Sequence, residues 1–170
     1  IDGGTGIIRH NGVEIASDKM HDQWVIESDV SVTNETLTTW TRSSLSDAAP
    51  YLTGMSHSSG IFTFPKTGVY RVDFRFGYYR SDDRRYVGAL MQLSTNSGGN
   101  YIDIGRSYTH LYDVDSNNSY GTTISQVHVD VQNASTYRIK FECPNNATVT
   151  IYGASDDIRT MVMIERRAGT

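Results

Sequence analysis

The segment Gly60-Ile61-Phe62-Thr63-Phe64-Pro65-Lys66-Thr67-Gly68-Val69-Tyr70-Arg71-Val72-Asp73-Phe74 reads as two β-strands joined by a tight turn. Pro65 pre-sets one backbone angle, and Gly68 accepts conformations closed to other residues. Beyond the turn, Tyr70, Val72, Phe74 and Phe76 alternate with Arg71, Asp73 and Arg75. That period of two marks a strand with one face in the core and the other in water.

The same period recurs outward from this segment. Val127, Val129 and Val131 alternate with His128, Asp130 and Gln132. Tyr137, Ile139 and Phe141 alternate with Arg138, Lys140 and Glu142. No amphipathic helix is evident. Strands are expected at 23–27, 37–42, 61–64, 68–79, 86–94, 101–109, 121–131, 136–141, 148–152 and 160–165. Clusters such as 81–85, 96–100, 115–118 and 144–146 supply the turns. The chain is therefore read as all-β, an antiparallel jelly-roll sandwich of about ten strands.

Two strands are apolar on both faces. In 86–94, Val87, Ala89, Met91 and Leu93 share one face while Tyr86 and Leu90 lie on the other. In 160–165, Met161, Val162, Met163 and Ile164 follow one another. Such a strand is either central in its domain or buried between subunits. Tyr86, Leu90, Met161 and Met163 are the candidate subunit-interface residues.

Residues 60–74 resemble the F-x-x-P-x-x-G-x-Y core of the complement globular-head and tumour-necrosis-factor (TNF) superfamily. Val149–Gly153 and Thr160–Ile164 fall where that family places its last core strands. The resemblance spans roughly residues 24–166. A narrower likeness, carried by 37–42 and 53–65, is to bacteriophage virion proteins bearing this head. The Glu165-Arg166-Arg167 ending departs from the Arg-Leu-Gly type expected there. The resemblance implies a homotrimer on a virion, at a fibre tip or as capsid decoration. It would contact other virion proteins and a host-surface glycan or protein. The alternative it implies is a secreted complement- or cytokine-type recognition head. Spacing alone shows only the sandwich.

Composition agrees with this class. The chain has 170 residues, 11 Tyr, 15 Gly and only 3 Pro. Lys and Arg total 15 against 19 Asp and Glu, a net charge of −4. No basic excess points to nucleic acid. No apolar run approaches the ~18–20 residues of a membrane-spanning helix. The single Cys143 excludes an intrachain disulfide framework and a multi-cysteine metal site. The start at Ile1 suggests a processed or longer polypeptide. Residues 1–22 read as a connector or attachment segment, with a short hairpin around Asn11-Gly12. The jelly roll is assigned to 23–170.

Little in the sequence suggests catalysis, and no catalytic residue or cofactor is assigned. His10, His21, His57, His110 and His128 show no zinc-motif spacing. Gly54-Met55-Ser56-His57-Ser58 lacks the final glycine of a nucleophile elbow and precedes a strand rather than a helix. Asp113, Asp115 and Asn117 have the first spacing of a calcium loop. Asn118 and Ile124 occupy positions where an EF-hand needs Gly and Glu. Calcium is thus a weak expectation at that loop. Sequons occur at Asn34, Asn117, Asn133 and Asn146, and they matter only in a secreted eukaryotic protein. Tyr78, Tyr79, Arg80, Arg84 and Arg85 crowd one hairpin tip, with Tyr112 and Tyr120 flanking another long loop. Tyr and Arg dominate interaction hot spots, so these seven are the candidate partner-binding residues.

Overall fold

The computed structural model describes residues 9–10, 13–14, 20–43, 54–112 and 117–169. Its strands are β1 (Arg9–His10), β2 (Val13–Glu14), β3 (Met20–Val25), β4 (Val30–Val32), β5 (Glu35–Thr36), β6 (Thr41–Arg42), β7 (Ser56–Ser58) and β8 (Ile61–Thr63). There follow β9 (Gly68–Arg80), β10 (Arg84–Ser94), β11 (Ile102–Leu111), β12 (Ser119–Val131), β13 (Arg138–Cys143), β14 (Val149–Ile151) and β15 (Met161–Ala168). Among the described residues there is no helix.

Apart from the β1–β2 hairpin, the strands form two antiparallel sheets. One runs β11-β10-β13-β8-β7, with β5 also on β13. The other runs β4-β14-β9-β15-β3-β6, with β12 also on β9. The jelly-roll reading holds. The extra strands are short. They include β4, β5 and β7, which carry too few residues to show alternation. The expected strand at 37–42 survives only at Thr41–Arg42. The physical reason is topological: β5 pairs in one sheet and β6 in the other. Residues 37–40 therefore cross between the layers, burying Leu37 and Trp40 on the way. At the N-terminal side, Met20 and Asp22 of the expected connector are buried in β3.

The core forms where the two inner faces meet. Tyr70, Val72, Phe74 and Phe76 of β9 are all fully buried, as the alternation predicts. Phe141 lies 5.2 Å from Phe74, 5.4 Å from Phe62 and 5.8 Å from Trp40, in edge-on or tilted contacts. Such aromatic clusters gain beyond area burial because positive ring edges meet negative ring faces.

The Pro65–Gly68 turn explains the sequence signature. The Tyr70 hydroxyl donates to the Lys66 carbonyl at 2.8 Å, closing the turn. Phe64 packs edge-on against Tyr70 at 4.9 Å. Gly68 has φ +139°, and a side chain there would meet the Ala168 carbonyl at 2.3 Å. Arg166 crosses the same turn and donates to the Thr67 carbonyl at 2.8 Å.

Candidate functional site

The cross-strand register fixes what each outer face displays. On the seven-stranded sheet, Val25, Met161, Arg75 and Ile124 form one row. Gln23, Met163, Asp73 and Gln126 form the next. His21, Glu165, Arg71 and His128 form a third. Met161 and Met163 thus lie outward and half-buried, while Val162 and Ile164 fill the core. Around them the charges pair off. His21 Nδ1 is 2.9 Å from Glu165, and Arg71 is 2.9 Å from Asp73.

Tyr86 and Leu90 lie on the opposite outer face, that of the six-stranded sheet. Leu90 is only 4% exposed in the single chain. The register sets Arg106 and Glu142 on either side of it. The four expected interface residues therefore do not form one patch.

Exposed apolar residues are concentrated on two strands that border both of these faces. Ile102, Tyr108, Tyr112, Tyr120 and Ile124 are the large exposed hydrophobics among the described residues, at 49–68% exposure. All belong to β11, β12 or the stretch between them. These two strands are outer strands of their sheets, and they run side by side, with Ser107 and Thr123 hydroxyls 2.6 Å apart.

At the end of this strip, the expected partner residues separate into two groups. Tyr79 and Tyr120 are direct cross-strand partners, with rings 5.3 Å apart. Tyr152 joins them at 5.0 Å from Tyr120 and 5.7 Å from Tyr79. The Arg159 guanidinium lies 4.0 Å over the Tyr152 ring. The Tyr79 hydroxyl donates to Asp29 at 2.8 Å; this hydrogen bond, with burial, raises its pKa. Arg85 is exposed near by on the hairpin, as is Tyr112, whose ring contacts His110 at 4.6 Å.

Tyr78 and Arg84 correct the surface expectation. Tyr78 is 1% exposed because it follows the inward phase of β9 and stacks on Phe76 at 5.6 Å. Burial raises its pKa. Arg84 is 9% exposed and donates to the Thr148 and Asp83 carbonyls. Arg80 donates to Thr148 as well, at 2.6 Å. Hydrogen bonds from Arg80 and Arg84 hold the Asp82 carboxyl below its ordinary pKa. Both arginines clip the hairpin tip onto the body of the fold.

Asp113 and Asp115 lie outside the described residues, and Asn117 is exposed where the chain enters β12. Among the described residues no cluster of three metal-ligating side chains occurs. Ser56 lies in β7, a strand paired to β8, and His57 Nε2 donates to the Trp40 carbonyl at 3.0 Å. Cys143 is fully buried, and burial pushes its thiol pKa far up.

Sequence reasoning missed Tyr152 and the pairing of buried Asp22 with the exposed Arg42. Tyr152 ends the expected strand 148–152, and only the sheet order brings it to Tyr79 and Tyr120.

The architecture is that of a TNF-like jelly roll. Among solved structures the chain is similar to Eiger TNF from S. frugiperda, with a TM-score of 0.68 at 13% identity, covering 89% of this chain and 94% of that one. It is also similar to murine APRIL in a crystal structure at pH 5.0, with a TM-score of 0.64 at 12% identity, covering 88% and 100%. At such identities the shared property is the fold. No family model matches the chain, and no curated protein matches it in sequence.

Proposed function

We propose that this chain is a non-enzymatic recognition head of the cytokine or complement type, secreted and working as a homotrimer that binds a protein partner. The observation that carries this reading is the strip of exposed apolar side chains along β11 and β12. Contiguous exposed apolar surface marks interaction sites on soluble proteins. At Ile124 the strip runs into the outward face bearing Met161 and Met163, whereas Tyr108 adjoins Tyr86 on the outer face of the other sheet. Two different surfaces that meet head to tail close into a ring when the rotation permits. Tyr79, Tyr152 and the exposed Arg85 then supply the rigid aromatic and cationic groups suited to a protein partner.

The sequence resemblance leaned toward bacteriophage fibre or capsid-decoration proteins. Solved structures similar to this chain include a TNF and APRIL, which supports the cytokine-type reading over the virion one.

Light scattering at micromolar concentration tests the assembly. The expected mass is that of three chains, and a clean monomer overturns the trimer. Binding of labelled protein to cell surfaces tests recognition. Tyr152→Ala and Arg85→Glu should weaken saturable binding while leaving the mass unchanged. Unaltered binding by both variants would remove this end of the fold from the partner site.

A further inference from the structure

We infer that Asn133 is an N-glycan acceptor, favoured over the sequons at Asn34 and Asn146, when the chain passes through a eukaryotic secretory compartment. This rests on the secreted reading above. The turn between β12 and β13 holds Asn133-Ala134-Ser135 in a particular geometry. The Ser135 hydroxyl donates to Asn133 Oδ1 at 2.7 Å, and the Ser135 backbone N–H donates to the same oxygen at 3.0 Å. The Thr136 and Tyr137 N–H groups donate to the Asn133 carbonyl at 3.2 and 3.1 Å. Asn133 and Ser135 are both exposed.

This geometry bears on the chemistry. A carboxamide nitrogen is a poor nucleophile because its lone pair is delocalised into the carbonyl. Two donors on Oδ1 draw charge toward oxygen and ease removal of an Nδ2 proton. Nδ2 then attacks C1 of an oligosaccharide carried on a lipid pyrophosphate. The Nδ2–C1 bond forms and the C1–O bond to phosphate breaks. The lipid pyrophosphate leaves with the electron pair, and the Nδ2 proton passes to a base of the transferase. All the hydrogen bonds involved lie within residues 133–137. The turn is therefore available before the sandwich assembles, when the transferase meets the chain.

At two of the other three sequons, Asn34 and Asn146, the hydrogen bonds are long-range and form only with the sandwich, so no local turn of the kind at Asn133 presents them earlier. Thr36 donates its hydroxyl to Glu142 at 3.0 Å, and the Asn34 N–H donates to Asn145 at 2.6 Å. Thr148 shares its hydroxyl bond with Thr33 at 2.6 Å, and Asn146 Oδ1 accepts from the Tyr86 N–H at 3.4 Å. The β12–β13 turn lies at the Gly68 end of β9, since Val131 pairs with Gly68. The tyrosine cluster lies at the other end, where Ser119 pairs with Arg80. A glycan on Asn133 thus leaves the candidate partner surface clear.

The test is expression of the full chain behind a secretion leader in insect or mammalian cells. Occupancy is read in medium and cell-retained fractions by the Asn-to-Asp mass change that a peptide-N-glycosidase leaves. Asn133 should be nearly fully modified and more occupied than Asn34 or Asn146. Ser135→Ala should abolish its modification, and Ser135→Thr should keep it. A bare Asn133, or one no more occupied than Asn34 and Asn146, overturns the inference. Light scattering on the same material separates the two readings. A glycosylated monomer refutes the trimer and supports the acceptor. A trimer with bare Asn133 does the reverse.

Discussion

Asp22 and Arg42 form a two-pronged ion pair between neighbouring strands of the seven-stranded sheet, buried on the aspartate side and exposed on the arginine side. Arg42 Nε donates to Oδ1 at 2.9 Å, and its terminal nitrogen donates to Oδ2 at 3.0 Å. Asp22 is fully buried and also accepts the Met55 N–H at 2.6 Å. Arg42 also donates to the Met55 carbonyl at 2.7 Å and lies 4.5 Å over the Trp24 ring. The pair thus ties β3 to β6 and to the entry of β7. Removing the exposed arginine is still costly because the Asp22 charge stays buried without its compensating cation. Arg42→Met should destabilise the protein by about 3 kcal/mol in urea unfolding. A loss under about 0.5 kcal/mol, the range of ordinary surface substitutions, would show that the guanidinium is dispensable.

Gly68 sits at the close approach of the Pro65–Gly68 turn to the final strand. Gly68→Ala combines a positive φ with a clash against the Ala168 carbonyl, so it should cost roughly 1–3 kcal/mol. Tyr70→Phe removes only the hydroxyl bond to Lys66 and should cost about 1 kcal/mol. Thermal unfolding should rank the two in that order. The reverse ranking would mean that the turn relaxes around a side chain at 68.

Phe141 sits among Phe62, Phe74 and Trp40, where the inner faces of the two sheets meet. Phe141→Ala should cost about 3–5 kcal/mol, since the lost contacts leave a cavity among rigid rings. Phe141→Leu should recover part of this loss. Equal losses from both variants in denaturant titrations would argue against close packing there.

Met163 is outward-facing, so Met163→Arg should leave the folded chain intact while abolishing assembly. In the proposed trimer an arginine there would be carried into the contact with a second chain beside only one cross-strand carboxylate, Asp73, which Arg71 already engages. Sedimentation should show a monomer with native circular dichroism. A trimer of unchanged melting temperature would place the contact elsewhere.

Cys143 and Tyr78 bear on alkaline stability. Burial raises both pKa values in the folded state, from ordinary values of 9.0 and 10.0. The unfolded chain therefore loses these protons first as the pH rises. Their stabilising contribution is complete below about pH 9 and declines above it. Cys143→Val should shallow the fall in stability between pH 9 and 10.5, roughly the window in which an unfolded thiol ionises. An unchanged slope would assign that fall to other groups. In the native state Cys143 should also resist thiol reagents until the protein is unfolded.

Much of the fold was legible where strands are long and half-wet. Tyr70 to Phe76 and Val127 to Val131 alternate cleanly because one face meets the core and the other does not. Strands β4, β5 and β7 escaped notice because two or three residues cannot display a period. Asp22 escaped because an aspartate among Met20, Trp24 and Val25 reads as a surface position until its arginine is seen. The tyrosine cluster was half legible. Tyr79 and Tyr120 stood in view at their loop ends, whereas Tyr152 arrives through sheet order. Tyr78 and Arg84 were read with their neighbours, although adjacent strand residues point to opposite sides.

The order β9-β15-β3 sets a temporal condition on folding. Strand β3 is synthesised before β9, yet it touches the middle of its sheet only through β15, which leaves the ribosome about 80 residues after β9. Until residues 161–168 emerge, β3 and β9 each expose a bare edge able to recruit a strand from a neighbouring nascent chain. A stalled or clipped chain lacking β15 would therefore be an aggregation hazard before any function is lost.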